Sequence, residues 1–222
     1  TASGIEDLGG SGIAQVFYST TPDATTGTRI ESYSPRTGTA SVTVTPPADA
    51  QTTYYVRAID KAGNLGPQLS VVAKRDTTAP TGSIKVGEHN IWSAFVNAIT
   101  FGIYFNEQQP VVIDAADEGG SGLAGIQYYI ASEALTRQQL LDVEETSWKD
   151  YAAFTLLPED RYVVYAKLAD NAGNVTYIGT DGMVFDTTAP VVGAEDTVDV
   201  TPPWAHIGAE TVTVTASGVE DV

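Results

Sequence analysis

Two kinds of loop in this chain carry the same acidic lettering twice, and their side chains suit a hard cation better than any covalent chemistry. "DLGGSG" begins at Asp7 and "DEGGSG" at Asp117, while "DKAGN" ends at Asn64 and "DNAGN" at Asn174. Carboxylates and amide oxygens in glycine-rich turns are what calcium takes, about six to eight oxygens at a time. Nucleophilic chemistry finds no comparable footing. The chain has no cysteine, so thiolate ligands, disulfides and a cysteine nucleophile are all excluded. Ser11 and Ser121 sit in "GGSG", which lacks the G-x-S-x-G spacing of a nucleophile elbow. The two histidines, His89 and His206, have no acidic neighbours at zinc spacing and read as loop residues. No glycine-rich phosphate loop ending in lysine occurs. The expectation is a protein that is not an enzyme.

Charge narrows the partners. Asp and Glu number 28 against 11 Lys and Arg, a formal net charge of −17. That field repels phosphate backbones and anionic lipid surfaces, so neither nucleic acid nor membrane insertion is expected in this segment. No apolar run is long enough for a membrane helix, and no signal peptide opens the chain. Thr, Val, Gly, Pro and Tyr dominate, a composition of strands and turns.

The elements that carry these loops recur. Asp7 to Asp117, Asn64 to Asn174, and "DTTAP" at Asp76 to "DTTAP" at Asp186 share one spacing of 110 residues (117 − 7). The opening "TASGIED" returns as "TASGVED" at Thr215 to Asp221. Three divisions follow: a repeat over 1–80 lacking its early strands, a complete repeat over 81–190, and the early strands of a third over 191–222. Within each, alternation marks half-buried strands. "GIQYYI" (125–130), "YAAFTLL" (151–157), "RYVVYAKLAD" (161–170) and "AETVTVTASG" (209–218) are examples. Val164, Ala166 and Leu168 should face one way, Tyr165 and Lys167 the other; Tyr54, Val56 and Ala58 oppose Tyr55 and Arg57 in the first repeat. "SEALTRQQLLDVEE" (132–145) breaks the pattern with leucines near helical spacing, and predicts a short surface helix. The fold class is all-β: tandem sandwiches joined by short "DTTAP" linkers, with one inserted helix.

The ordered set "D-x-GGSG-[IL]", "A-x-D-x-AGN" and "DTTAP" resembles the bacterial immunoglobulin-like repeats of large surface adhesins and cell-wall-associated proteins. The resemblance implies a seven-strand-like sandwich, tandem stacking into a rod, and often calcium at the junctions. The departures are the long segment His89 to Pro110 and the helical insert.

In an immunoglobulin-like topology the B–C and F–G loops and the incoming linker share one pole. For the second repeat this would gather Asp76, Asp117, Glu118, Asp170 and Asn174. The first repeat offers Asp7, Asp60 and Asn64, and the third Asp186, Glu220 and Asp221. Calcium is the cofactor these sets suggest. The competing reading is turn chemistry, with each Asp holding backbone N–H groups of its own loop or linker. Trp92 and Trp204 hold corresponding positions, so the three tryptophans (with Trp148) read as packing residues rather than a sugar platform. Lys85, Lys149 and Lys167 are candidates for an isopeptide cross-link, although Lys167 reads as solvent-facing.

Residues 191–222 hold the strands that 1–80 lack. Either the chain is a window on a longer tandem protein, or the tail of one copy completes the head of another. The leading functional expectation is a stalk or filament module at a bacterial cell surface or outside the cell, stiffened by calcium, with neighbouring repeats or other copies as partners. A glycan- or host-protein-binding adhesin module, or an accessory domain of a secreted glycosidase, is the alternative.

Overall fold

The computed structural model describes residues 1–8, 10–90, 92–93, 99–158, 160–201 and 213–220; for 90, 92–93, 191–201 and 213–220 it describes the backbone. The chain divides into two units. Unit 1 comprises Thr1–Pro80, Ala116–Ala124 and Ala169–Val175; unit 2 comprises Thr81–Ala115, Gly125–Leu168 and Thr176–Val222.

Unit 1 contains β1 (Ile13–Ser19), β2 (Thr28–Arg29), β3 (Ser32–Ser34), β4 (Thr39–Ser41), β5 (Ala50–Asp60) and β6 (Leu69–Arg75). One sheet runs β2-β1-β5-β6, and β3 pairs with β4 in a separate hairpin. The first residues join that hairpin: Ala2 and Ala40 exchange both backbone hydrogen bonds, and the Ile5 N–H donates to the Gly38 carbonyl. Val16, Ile30 and Ala40 form the core, with Ile5, Ile13, Tyr18, Tyr33, Val56 and Ala58 packed against it. The two layers share this small apolar interior, as a sandwich requires.

Unit 2 holds β7 (Thr81–Val86), β8 (His89–Asn90), β9 (Trp92–Ser93), β10 (Phe101–Phe105), β11 (Gln109–Ala116), β12 (Leu123–Ala131), β13 (Lys149–Asp150), β14 (Phe154–Leu156), β15 (Asp160–Asp170), β16 (Val175–Thr180) and β17 (Gly182–Phe185), with a few terminal residues of β11, β12, β15 and β16 belonging to unit 1. One sheet is ordered β14-β11-β7-β8, the other β10-β17-β15-β12-β13. Their facing sides build the main core. Ile84, Val86, Val111, Ile113 and Leu156 come from the first sheet, and Phe105, Val164, Ala166, Leu168, Met183 and Phe185 from the second. The pair β10–β17 is parallel, Phe101 opposite Gly182 through Phe105 opposite Phe185. This strand lies in the long segment that the repeat pattern treats as a departure.

The expected alternation along β15 is present: Val164, Ala166 and Leu168 lie in the sandwich core, Val163 and Tyr165 in a second cluster on the other face. That outer face is buried because the insert covers it. The helix α1 spans Arg137–Leu141, capped by Thr136, whose hydroxyl accepts from the Gln139 N–H while the Gln139 side chain accepts from the Thr136 N–H. It presents Leu140, 1% exposed, to Val163, Tyr165 and Trp148. Trp148 is therefore a packing residue, buried between Tyr129 and Tyr177. The expectation for Lys167 is corrected. Its side chain is 15% exposed and its ammonium lies 2.7 Å from the Glu145 carboxylate, close to the Trp148 ring, so it faces the insert rather than water.

Finally, β18 (Val191–Thr201) and β19 (Thr213–Glu220) form an antiparallel pair. Trp204, His206 and Asp221 lie outside the described residues, and only the backbones of Trp92 and Glu220 are described.

Candidate metal centre

The two recurrent loops interlock in the same way in both repeats. The Asp170 N–H donates to the Asn174 carbonyl across 3.1 Å and the Gly173 N–H returns to the Asp170 carbonyl across 3.3 Å, closing a tight hairpin. Gly173 has φ +93°, a conformation that costs a side-chain-bearing residue dearly. Asp60, Gly63 and Asn64 repeat the arrangement, with Asp60 to Asn64 again at 3.1 Å. Against each hairpin lies a "GGSG" loop. The Ser121 hydroxyl accepts the Ala172 N–H at 2.9 Å, and Ser11 accepts the Ala62 N–H at 3.1 Å. Asp117 accepts the Gly122 N–H, and Asp7 the Gly12 N–H, both at 2.7 Å. The serines that superficially suggest a nucleophile are thus loop clasps.

The second repeat's pair of loops receives the linker. Asp76 accepts the Ser121 N–H at 2.6 Å and the Thr78 N–H at 3.0 Å. These hydrogen bonds, those of Ser121 foremost, hold its carboxyl below the ordinary aspartate value. The Asn174 amide reaches the carbonyls of Asp76 and Thr78 at 3.4 and 3.5 Å. On the other side Asp49 accepts both the N–H and the hydroxyl of Thr77, which likewise lowers its carboxyl, the Thr77 backbone bond leading. All these residues belong to unit 1.

The result is a convergence of carboxylates. One oxygen each from Asp76, Asp117 and Asp170 lies within 4.8 Å of the others. Asp170 is 3% exposed, and neither ion pair found among the described residues involves any of the three. Three anionic groups gathered with no ion-paired partner among the described residues suit a divalent ion chemically. Each also serves the backbone: Asp170 alone accepts from Ala172 N–H, Asn174 N–H and the Asn174 amide at 2.8–2.9 Å. A carboxylate oxygen has two lone pairs, so these bonds leave acceptor capacity for an ion.

The remaining candidates are placed as follows. Glu118 is exposed and stands outside the trio. Asn174 adjoins it as described. In the first repeat Asp60 takes the backbone and side-chain N–H groups of Asn64, both at 2.8 Å; Asp7, Asp60 and Asn64 line one cavity with Glu6, but among the described residues these carboxylates do not converge as the trio of the second repeat does. Asp186 accepts the Thr188 N–H at 2.9 Å, capping its own linker as Asp76 does. Sequence reasoning missed Asp49. It lies at φ +52° after "TPPA", and the only local signal is that turn; its partner Thr77 is 28 residues away.

A tandem β-sandwich whose strand-joining loops interlock belongs to the immunoglobulin-like class. The sequence profile of the bacterial Ig-like domain matches residues 1–76 and again 66–187, and the chain belongs to that family. No curated protein matches the chain significantly. No helix among the described residues is long and apolar enough to cross a membrane.

Proposed function

We propose that this chain is a non-catalytic spacer: a stalk segment of a bacterial surface or extracellular protein in which each "DTTAP" linker is held to the loops of the repeat that follows it. The observation that carries the reading is the Asp76 carboxylate, bonded at once to Thr78 of its own linker and to Ser121 of the "GGSG" loop. Pro80 restricts the backbone beyond it and pushes Ala79 to extended geometry, so the linker has few conformations left. A stalk needs this: force and reach pass through joints that do not fold back. The divisions at residues 80 and 190 follow from the same logic, since each linker closes one repeat.

Calcium belongs to the proposal as the ligand of Asp76, Asp117 and Asp170. Its contribution would be to cancel their mutual repulsion while the backbone bonds keep the loops in place. At roughly 1 mM calcium and a Kd of about 100 µM, binding adds about 1.4 kcal/mol to the folded state. That corresponds to a Tm rise of roughly 3–6 °C for a chain of this size.

The test is thermal melting with small-angle scattering, in millimolar calcium and in excess EGTA. A rise of that size, with one elongated form in solution, supports both parts. Superimposable melts would remove the ion and leave the hydrogen-bonded linker. Scattering that requires a mixture of bent forms in both conditions would remove the stalk.

A further inference from the structure

We infer that the parallel pair β10–β17 is a tension lock for unit 2, with the Asp181 carboxylate as its catch. The use of such a lock rests on the stalk reading, whereas its existence rests on the geometry of this unit alone.

The chain enters unit 2 at Thr81 and leaves its last sandwich strand at Phe185, and β15 measures the distance between those points. Asp160, at the start of β15, pairs with Phe185 at the end of β17. Leu168, near the other end of β15, lies against Gly82, the second residue of β7. The eight-residue step between Asp160 and Leu168 (168 − 160) spans roughly 26 Å of strand. Tension applied through the two linkers therefore runs along these strands rather than across them.

Within the unit, β10 and β17 receive that tension from opposite ends. They run in the same direction, Phe101 opposite Gly182 and Phe105 opposite Phe185. The entering chain pulls β10 at its first residue, and the leaving chain pulls β17 at its last. The strands must then slide past one another, so their hydrogen bonds share the strain instead of opening in turn. Strand β17 is also held on its other side, where Met183 pairs with Tyr162. Met183 and Phe185, 0% and 1% exposed, root it in the core.

Both ends of the pair are fastened. At the exit the Asp186 N–H donates to the Phe105 carbonyl at 2.9 Å, so the first residue of the second linker is itself bonded to β10. At the entry the Gly182 N–H donates to the Thr100 carbonyl at 3.1 Å. Asp181 adds the catch: its carboxylate accepts the Thr100 N–H at 2.7 Å and the Thr100 hydroxyl at 3.2 Å. Arg161 reaches across β17 from β15, its guanidinium 5.7 Å from the centre of the Phe101 ring. At rest an exposed clasp of this kind contributes modestly to stability. Under shear it must break before β10 moves, and survival under force is set by the unfolding rate.

The chain has no cysteine, so pulling handles attach only where one is introduced. The full chain is held at one constant force in excess EGTA. Handles at Ala79→Cys and Ala189→Cys load the pair in shear. Handles at Tyr104→Cys and Ala189→Cys peel it from its Phe105 end; the Tyr104 side chain is 72% exposed, so little packing is lost. The expected lifetime is several-fold longer in shear than in peeling. Asp181→Ala should shorten the shear lifetime about ten-fold, the factor that one hydrogen bond to a charged group is worth. It should leave the peeling lifetime nearly unchanged, because there the catch breaks last. Asp181→Asn, whose amide oxygen still accepts the Thr100 N–H, should recover most of the loss. A merely structural role would cut both lifetimes by one factor. That outcome, no loss in shear, or equal parent lifetimes in the two directions would overturn the inference. Comparing directions needs no change at Asp181, so the test stands even where Asp181→Ala fails to fold. Bent forms in scattering would remove the stalk and leave these lifetimes as they are, whereas equal lifetimes would remove the lock and leave the scattering unchanged.

Discussion

Ser121 donates its backbone N–H to Asp76 across 2.6 Å, and this one bond ties a linker to a loop 45 residues further along the chain. The same carboxylate caps Thr78, so removing its charge loosens the linker and the loop together. The interaction titrates. Hydrogen bonds hold the Asp76 carboxyl below its ordinary value, as Thr77 does for Asp49 and Asn64 for Asp60. A depressed carboxylate contributes its full stabilisation above the unfolded-state value, about 3.9, and loses it as pH falls through the folded-state value.

Stability should therefore hold between about pH 5 and 7 as far as these three groups are concerned, and fall on acidification below about pH 4. Asp76→Asn should flatten part of that acid slope without altering the slope above pH 5. Denaturant titrations at several pH values check the sign. Amide exchange at Thr78 and Ser121 should rise in the variant while β15 stays protected. An unchanged acid slope, or exchange confined to neither amide, would mean that the bond is incidental.

A side chain at the second glycine of the "GGSG" loop requires the Asp117 carboxylate to move. A Cβ at Gly120 would run into the Asp117 carboxylate, whereas one at Gly125 meets nothing within 4 Å. Gly120→Ala should therefore displace Asp117 from the Gly122 N–H and lower Tm, and Gly125→Ala should leave it nearly unchanged. Gly173→Ala tests the neighbouring hairpin by a different mechanism, backbone strain at φ +93°, worth about 1–2 kcal/mol. If Gly120→Ala melts with the parent, the Asp117 contact is not what holds the loop.

Much of this was legible in the sequence because it is local. The Asp-to-Asn hairpin closes within five residues, and the strand alternation of Val164, Ala166 and Leu168 needs no distant partner. The helix announced itself through leucines near helical spacing in 132–145. What escaped depends on chain brought from far away. Asp49 finds Thr77 only once β5 and β6 have paired, and β10 finds β17 across 80 residues or more in a parallel register that no local pattern encodes. Lys167 was misread for a similar reason. Its position on the outer face of β15 was right, but that face is buried by the insert, which supplies Glu145 as its partner.

The insert itself poses the last question: is it held by its ion pair or by its leucine? The Lys167–Glu145 pair is 2.7 Å long, but the glutamate is 71% exposed, so water screens it. Such pairs are worth roughly 0–1 kcal/mol. Leu140 is 1% exposed among Val163, Tyr165 and Trp148, and emptying such a site costs about 2–5 kcal/mol through lost transfer energy and the cavity left behind. Burial also raises the Tyr165 hydroxyl's pKa, and its oxygen accepts the Leu135 N–H at 2.7 Å, so a second bond depends on the same packing. Leu140→Ala should therefore lower Tm by several degrees and quench the signature of a buried Trp148 in fluorescence, while Glu145→Ala should do little to either. Adding salt separates the two further, since only the exposed pair is screened. Equal losses from the two variants would show that the charge, not the apolar plug, fixes the helix on the sheet.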